Sequence, residues 1–425
     1  MTYEAIISRA STRVHPNANA LQLADVNGYT IVIGLDVPDG TVGVFFPCDG
    51  QLSPEFAEAN DLIQRTDPDT GERKGGYFAA NRRVRSQRLR GEKSEGFWTT
   101  LDSLAFTGYD ISQLKEGDKF DSLNGVPICN KYYTPATIKQ MNARKNTTRK
   151  NKCFPKHVET EKLQYEVDSI LPGSIIYITE KLHGTSGRYA YVRDEVEVKP
   201  SWFKRLFGAK PKVTNEYDFL VGTRNMILGK SDVPSFYGSE EFRVRVGDKM
   251  KKLDGSVALN KGEVIYGEIV GYTHTGASIM GEHDASDLKE IKKLYGKRIT
   301  YKYGNIPGAC EFYVYRIAQV NDDGESIDLP WPQVKKRCRN LGLKTVPEIY
   351  DSFINSRNND LISIAEDIME GPSLLDASHL REGVVFRVES PDGNISYLKS
   401  KSFTFGVLEG YIKQSDDYVD IEEVS

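Results

Sequence analysis

Over the first 125 residues apolar and polar positions alternate in short bursts separated by turn residues. VNGYTIVIGLDVPDGTVGVFFPCDG holds two β-rich runs, Tyr29–Leu35 and Thr41–Phe46, joined through the turn signal Pro38-Asp39-Gly40. RRVRSQRLRG, Arg82–Gly91, reads as a further strand, with Arg83 and Arg85 on one face and Arg88 and Arg90 on the other. Several short strands at this spacing predict a small closed β-barrel. TPATIKQMNARKN then predicts a short helix. From about residue 158 to 412 strand-like runs dominate: SIIYITE, EVIYGEIVGYTH, CEFYVYRIAQV, EGVVFRVES and ISYLKSKSF. Helix-like segments such as SDLKEIKKLYG and PWPQVKKRCRNLG fall between them. The pattern predicts an α+β chain with largely antiparallel sheets and flanking helices. Lys199–Asn215 reads as an insertion whose Trp202, Phe203 and Phe207 are expected to pack locally, and no internal repeat is visible.

Composition adds limits. A chain of 425 residues exceeds one ordinary core and fits two or three domains. No apolar run approaches the roughly 18 residues of a membrane span, and MTYEAIISRASTRVHPNANA has no signal-peptide stretch, so a cytoplasm-like compartment is expected. Cys48, Cys129, Cys153, Cys310 and Cys338 lie far apart without a C-x-x-C pair, which predicts reduced thiols and no zinc site. The net charge of −4 hides a local segregation of sign. Between Lys131 and His157 stand Lys131, Lys139, Arg144, Lys145, Arg149, Lys150, Lys152 and Lys156, with no acid among them. The end, QSDDYVDIEEVS, is acidic. A polyanionic partner responds to local charge rather than to the total. These shifts divide the chain into a front β domain (1–125), a basic linker (126–157), an α+β domain (158–412) and an acidic tail (413–425).

The chemistry centres on EKLHGTSGR, Glu180 to Arg188, which follows the strand-like SIIYIT. Five more elements follow in order across about 220 residues: Thr223-Arg224-Asn225, Glu268 in VIYGEIVG, the aromatic run EFYVYRIA, Glu382 in REGVVFRV, and Lys399 with Lys401 in LKSKSF. Physical chemistry ties them together. A free lysine has a pKa near 10.4, so only about 0.1% is the neutral, nucleophilic amine at about pH 7.4. Nearby cations such as Lys399 and Lys401 would lower the pKa of Lys181 and neutralise charge building on a phosphate under attack. Lys399 and Lys401 stand two apart, hence on one strand face, where like charges repel unless an anion lies between them. Glu268 and Glu382 offer hard oxygen ligands.

The ordered set resembles the covalent nucleotidyltransferases, which comprise DNA ligases, RNA ligases and mRNA capping enzymes; K-x-H-G-T is the RNA ligase form of the nucleophile motif. The resemblance implies that Lys181 takes AMP from ATP, that AMP then moves to an RNA 5′-phosphate, and that a 3′-OH displaces it. It further implies that Glu268 holds the ribose, that Glu382 engages Mg2+ or Mn2+, and that Lys399 and Lys401 meet the α-phosphate. Arg224 would contact the nucleotide or the RNA 5′-phosphate, and Glu180 and Arg188 flank the nucleophile as further ATP contacts. His183 belongs to the motif as a catalytic residue that orients the phosphate. Tyr315 matches the aromatic that stacks on adenine, with Tyr313 and Phe312 as alternatives, and Phe312 reading as core. Relatives usually carry Asp after that aromatic, where this chain has Arg316. His15, His157, His274, His283 and His379 show no metal-ligand spacing and receive no role.

Domain order bears on the subclass. HPNANALQLADVNGYTIVIG resembles tRNA-binding OB modules, and RRVRSQRLRGEKSEGFW resembles a segment of the OB domain of ATP-dependent RNA ligases from bacteria, phages and protists. DNA ligases and capping enzymes resemble one another in carrying an OB domain after the nucleotidyltransferase domain, whereas only 24 residues follow Lys401 here. The resemblance therefore implies an N-terminal OB-type barrel followed by a nucleotidyltransferase domain. The partner it implies is RNA with nicked or broken strands, tRNA or duplex included, held in part by Arg83, Arg85 and Arg88, with no membrane and no obligate protein partner. A DNA nick ligase and a non-catalytic RNA-binding protein with a decayed ligase domain are the rival readings.

Overall fold

The computed structural model describes residues 3–67, 70–71, 73–144, 150–198, 212–229, 237, 239–356 and 360–412. The insertion read at 199–215 falls mostly outside these residues, as does the acidic tail. The chain divides into two compact units, the described residues within Met1–Thr134 and Phe403–Asp416 forming one, and those within Pro135–Ser402 the other.

The front unit is built on a four-stranded antiparallel sheet in the order Phe97–Thr100, Val42–Phe46, Ala5–Arg9, Lys119–Phe120. Its alternating apolar positions, among them Ala5, Ile7, Val44 and Phe46, bury a core shared with Phe56 and Leu104. A second sheet runs Ser11–Val14, Leu21–Val26, Tyr29–Gly34. Asn27 and Gly28, both at positive φ, make the two-residue hairpin between its last two strands. The front unit departs from the expected barrel, for no closed barrel forms among the described residues. At Asp49 the backbone turns to φ 72, and Gly50–Leu52 leaves the main sheet to pair with Cys129–Lys131. The Arg-rich strand is also shorter than expected. Arg82 stands at φ 53, and the strand itself is Ser86–Leu89, paired with Glu92–Glu95, while Arg83 makes an isolated bridge to Gln51. The helix Phe403–Ile412 follows the Lys399 and Lys401 strand in sequence yet belongs to this front unit. Gly406 and Gly410 lie against Ser86, where small residues let a helix approach closely.

The second unit, in its described residues, holds two large sheets and a two-stranded one that pairs Glu282–Asp284 with Arg298–Thr300. One large sheet runs Glu161–Lys162, Ile395–Lys401, Gly383–Glu389, Ile175–Lys181, Glu348–Ile354, all antiparallel except the first pairing. Ile176, Ile178, Val384, Phe386 and Leu398 from one face of it pack on the helix Leu361–Met369. The other sheet runs Lys212–Gly222, Thr185–Val198, Glu263–Gly271, Cys310–Val320, Ser326–Asp328, with Lys344–Thr345 pairing parallel to Cys310–Val320. Helices Pro135–Arg144, Lys289–Tyr295 and Trp331–Leu341 form where helix-like segments were read. The architecture is thus mixed α+β with mainly antiparallel sheets. No helix among the described residues is long and apolar enough to cross a membrane.

A polar network ties the two sheets. Arg316 pairs with Asp328, Asp328 accepts from the Tyr397 hydroxyl at 2.8 Å, and Arg387 donates to that hydroxyl at 2.8 Å. Arg316, where an Asp was expected, therefore ends in an ion pair with Asp328.

Candidate active site

Lys181 ends a strand of the first sheet and Thr185 begins a strand of the second, so Leu182-His183-Gly184 is the crossing between sheets. Gly184 is required there: a Cβ would stand 2.5 Å from the carbonyl oxygen of Ile269 and 2.9 Å from Glu268 Cγ. Gly383, at φ +153, likewise brings Glu382 in where a Cβ would meet the Ser400 carbonyl at 2.2 Å.

Glu382 is the hub. Its carboxylate has no exposed side-chain surface, and Lys181 Nζ donates to its Oε1 at 2.6 Å. Lys401 Nζ lies 3.4 Å from the same oxygen, and His183 Nδ1 lies 3.5 Å from Oε2. Lys399 and Lys401 are half-buried on one side of their strand, while Leu398 and Ser400 are buried on the other. Pairing sets Lys401 opposite Gly383 and Lys399 opposite Val385. Three residues scattered from 181 to 401 thus meet at one carboxylate.

The second sheet supplies the facing wall. Glu268 stands opposite Ser186 on one neighbouring strand and Tyr313 on the other. Tyr266 pairs with Arg316 and Gly267 with Val314, which leaves Tyr315 as the extra residue of a β-bulge. The bulge carries the Tyr315 hydroxyl to within 3.0 Å of His157 Nδ1, the two rings meeting edge to face at 5.6 Å. Burial and the Glu268 carboxylate push the Tyr315 phenol far up. Phe312 is buried against Tyr189 at 5.1 Å, as a core residue.

Arg224 sits on the Thr223–Met226 turn and donates to Glu159 Oε1 at 2.9 Å. Burial opposes ionisation of Glu159, but Arg224 outweighs it and holds the carboxyl below its ordinary value. His157 lies beside them, its backbone N–H donating to the Arg224 carbonyl at 3.4 Å. Burial, with Arg224, Arg316 and Lys181 nearby, lowers the His157 imidazole to about 3. His157 and Glu159 carry no motif signal in the sequence; their only mark is that HVE closes the basic stretch.

Two sequence-derived ATP contacts stand elsewhere. Strand alternation puts Glu180 on the face opposite Lys181, where its carboxylate accepts the Leu374 N–H at 2.9 Å. Burial raises its pKa. The Arg188 guanidinium is buried and donates to the carbonyls of Thr223, Pro155 (2.6 Å) and Met226 (3.0 Å), over the Phe154 ring at 4.5 Å. Its side chain is a clamp on the turn that carries Arg224, rather than a group presented to a ligand. In the front unit, Arg83 is also buried: it donates to the Gly410 carbonyl at 3.1 Å and lies over Tyr132 at 5.0 Å. Arg85 is half-buried, and burial, then Arg83, lower its pKa. Arg88 is exposed, over the Phe403 ring at 5.2 Å. Of the three arginines expected to meet RNA, Arg88 alone is exposed. The helix returning from residue 403 occupies Arg83.

Comparison with known proteins is consistent with this geometry. No curated protein matches the chain in sequence. Solved structures of the Naegleria gruberi RNA ligase share its fold. A lysine-to-alanine mutant with ATP and Mn is 20% identical with a TM-score of 0.58, and an apo mutant is 19% identical with a TM-score of 0.59, each match covering 97% of this chain and 99% of that one. A lysine-to-methionine mutant with AMP and Mn is 18% identical over the same shares, with a TM-score of 0.58. The family model described as RNA ligase matches residues 174–401, from just before the Ile175–Lys181 strand to Lys401. More than half of the chain lies in that match, and the chain belongs to the RNA ligase family.

Proposed function

We propose that this RNA ligase is ATP-dependent and works through a lysyl-AMP on Lys181. The observation that carries the reading is the convergence of Lys181, Lys401 and His183 on the buried Glu382. An ammonium against a carboxylate is the resting form of a nucleophile; attack on the α-phosphorus requires that pair to part and the amine to lose its proton. Lys399, Lys401 and Arg224 stand where the negative charge of a nucleotide's phosphates is best neutralised. Glu268 serves the ribose, and Tyr315 in its bulge serves the adenine.

The related ligase structures were obtained with ATP and Mn. The residues here suit a divalent ion of that kind: the buried Glu382 carboxylate offers hard oxygens beside Lys181 and Lys401. Mg2+ or Mn2+ in phosphoryl chemistry is commonly held by one or two carboxylates together with phosphates and water. Glu382 would hold it, and it would neutralise phosphate charge when bound. The lysine side chains do the rest: Lys181 attacks, Lys399 and Lys401 hold the α-phosphate, and pyrophosphate leaves.

AMP then passes to an RNA 5′-phosphate, and a 3′-OH displaces it, as suits repair of broken or nicked RNA. We place RNA binding on the front unit. Arg88, Arg90 and Lys93 are the cations that would meet its phosphates, Arg83 being engaged within the unit. The free cysteines fit a reducing, cytoplasm-like compartment.

Incubation with radiolabelled ATP followed by denaturing electrophoresis tests the nucleophile. Lys181→Ala should take up no label yet still seal RNA supplied already adenylylated at its 5′ end. Acid-labile label on the Lys181→Ala protein would refute the assignment.

A further inference from the structure

We infer that Tyr303, which lies outside every motif of the site, is a positioning residue for Lys181; the inference rests on Lys181 being the nucleophile. Tyr303 stands at φ 49, and Gly304 after it at φ 74. The Asn305 N–H donates to the Lys302 carbonyl at 2.9 Å, which closes a tight turn of the kind that ordinarily asks for Asn, Asp or Gly at both central positions. A bulky aromatic in the left-handed region is strained, and such strain persists only where the surroundings over-determine it.

The surroundings do so here. The Tyr303 side chain is buried, its ring edge to face with His379 at 4.5 Å. Its hydroxyl accepts the backbone N–H of His183 at 2.7 Å, across 120 residues of chain. That N–H lies two residues past Lys181, in the crossing between the sheets. The turn is itself held, for the Gly304 N–H donates to Asp376 Oδ2 at 3.0 Å. The same 371–380 loop supplies the Leu374 N–H that holds Glu180. The residue before the nucleophile and the crossing after it are thus both fixed from one place, one through its carboxylate and the other through its amide. Fixing the backbone on either side of Lys181 restricts the directions in which its amine can approach phosphorus, and small misplacements of a reacting atom are costly in rate.

Tyr303→Phe keeps the ring and removes the acceptor. Single-turnover transfer of label from ATP to the full-length protein, measured across ATP concentrations, should slow at least about ten-fold at saturation, with half-saturating ATP nearly unchanged. Sealing of pre-adenylylated RNA, in which Lys181 is not the nucleophile, should slow less. Wild-type adenylylation by Tyr303→Phe overturns the inference. So does an equal loss in adenylylation, ATP affinity and sealing, which marks a merely structural residue. If Tyr303→Phe does not fold, Asp376→Ala, which removes the anchor of the turn and leaves the phenol, should show the same pattern in milder form; wild-type behaviour there overturns the inference equally. Lys181→Ala run alongside separates the two ideas. Label on Lys181→Ala removes the premise, whereas a dead Lys181→Ala beside a wild-type Tyr303→Phe removes the positioning role alone.

Discussion

Glu382 shows how one buried charge organises a site. A carboxylate without exposed surface is tolerated only when cations and hydrogen bonds compensate it, and Lys181 and Lys401 supply that compensation. His157 follows the opposite logic. Cations and burial surround an imidazole that stays neutral and meets the Tyr315 hydroxyl. The consequence for stability has a definite sign. The unfolded chain takes up a proton on this histidine near 6.5, the folded chain only near 3. Stability from His157 is therefore full above pH 6.5 and is lost as pH falls from there toward 3. His157→Gln should flatten that acid limb in urea-melt midpoints recorded between pH 7 and pH 4. An unchanged slope would mean that the histidine does not titrate differently in the two states.

Strands carry the site because they alternate. Alternation sets Lys399 and Lys401 on one side of Ile395–Lys401 and separates Lys181 from Glu180 on Ile175–Lys181. It is interrupted at the Tyr315 bulge. The two sheets must also keep their relation, and the Arg316–Asp328–Tyr397–Arg387 network does this with buried polar groups. Asp328→Asn leaves Arg316 without its carboxylate, and breaking such a pair costs roughly 3 kcal/mol. The expected result is a lower denaturation midpoint together with slower adenylylation, since Tyr397 shares a strand with Lys399 and Lys401. A variant as stable as wild type would show that the pair is not needed to join the sheets.

At the scale of the molecule, contacts divide the chain differently from composition. The helix Phe403–Ile412 belongs to the front unit, while His157, inside the basic stretch, belongs to the second unit and meets Tyr315 there. A fragment to test the division of labour should therefore span 135–402. It retains Lys181, Glu268, Glu382, Lys399, Lys401 and His157, and should form lysyl-AMP. Sealing of nicked RNA should fall sharply if the front unit holds the strand. In the full chain, replacing Arg88, Arg90 and Lys93 with Ala should weaken RNA binding and make it less dependent on salt, because phosphate contacts release counterions. Sealing by the fragment at the full chain's rate, across several salt concentrations, would remove RNA binding from the front unit.

Much of this was already legible in the residue order. Strand runs such as SIIYITE and CEFYVYRIAQV, and the helix at Pro135–Arg144, are local patterns, and local periodicity survives packing. The ordered motif from Lys181 to Lys401 named the residues that gather at Glu382, because strand order in a sheet converts sequence spacing into proximity. Other features depended on distant contacts. Arg83 carries its charge in any reading, but its burial comes from a helix carbonyl 327 residues away. Arg188 looks like a ligand contact in the sequence, yet four backbone carbonyls surround it. His157 and Tyr303 reach the site across 158 and 120 residues, with no periodicity to announce them. Residue type sets what chemistry a side chain can do; exposure, facing and partners are properties of the packed chain, and only the tertiary structure decides them.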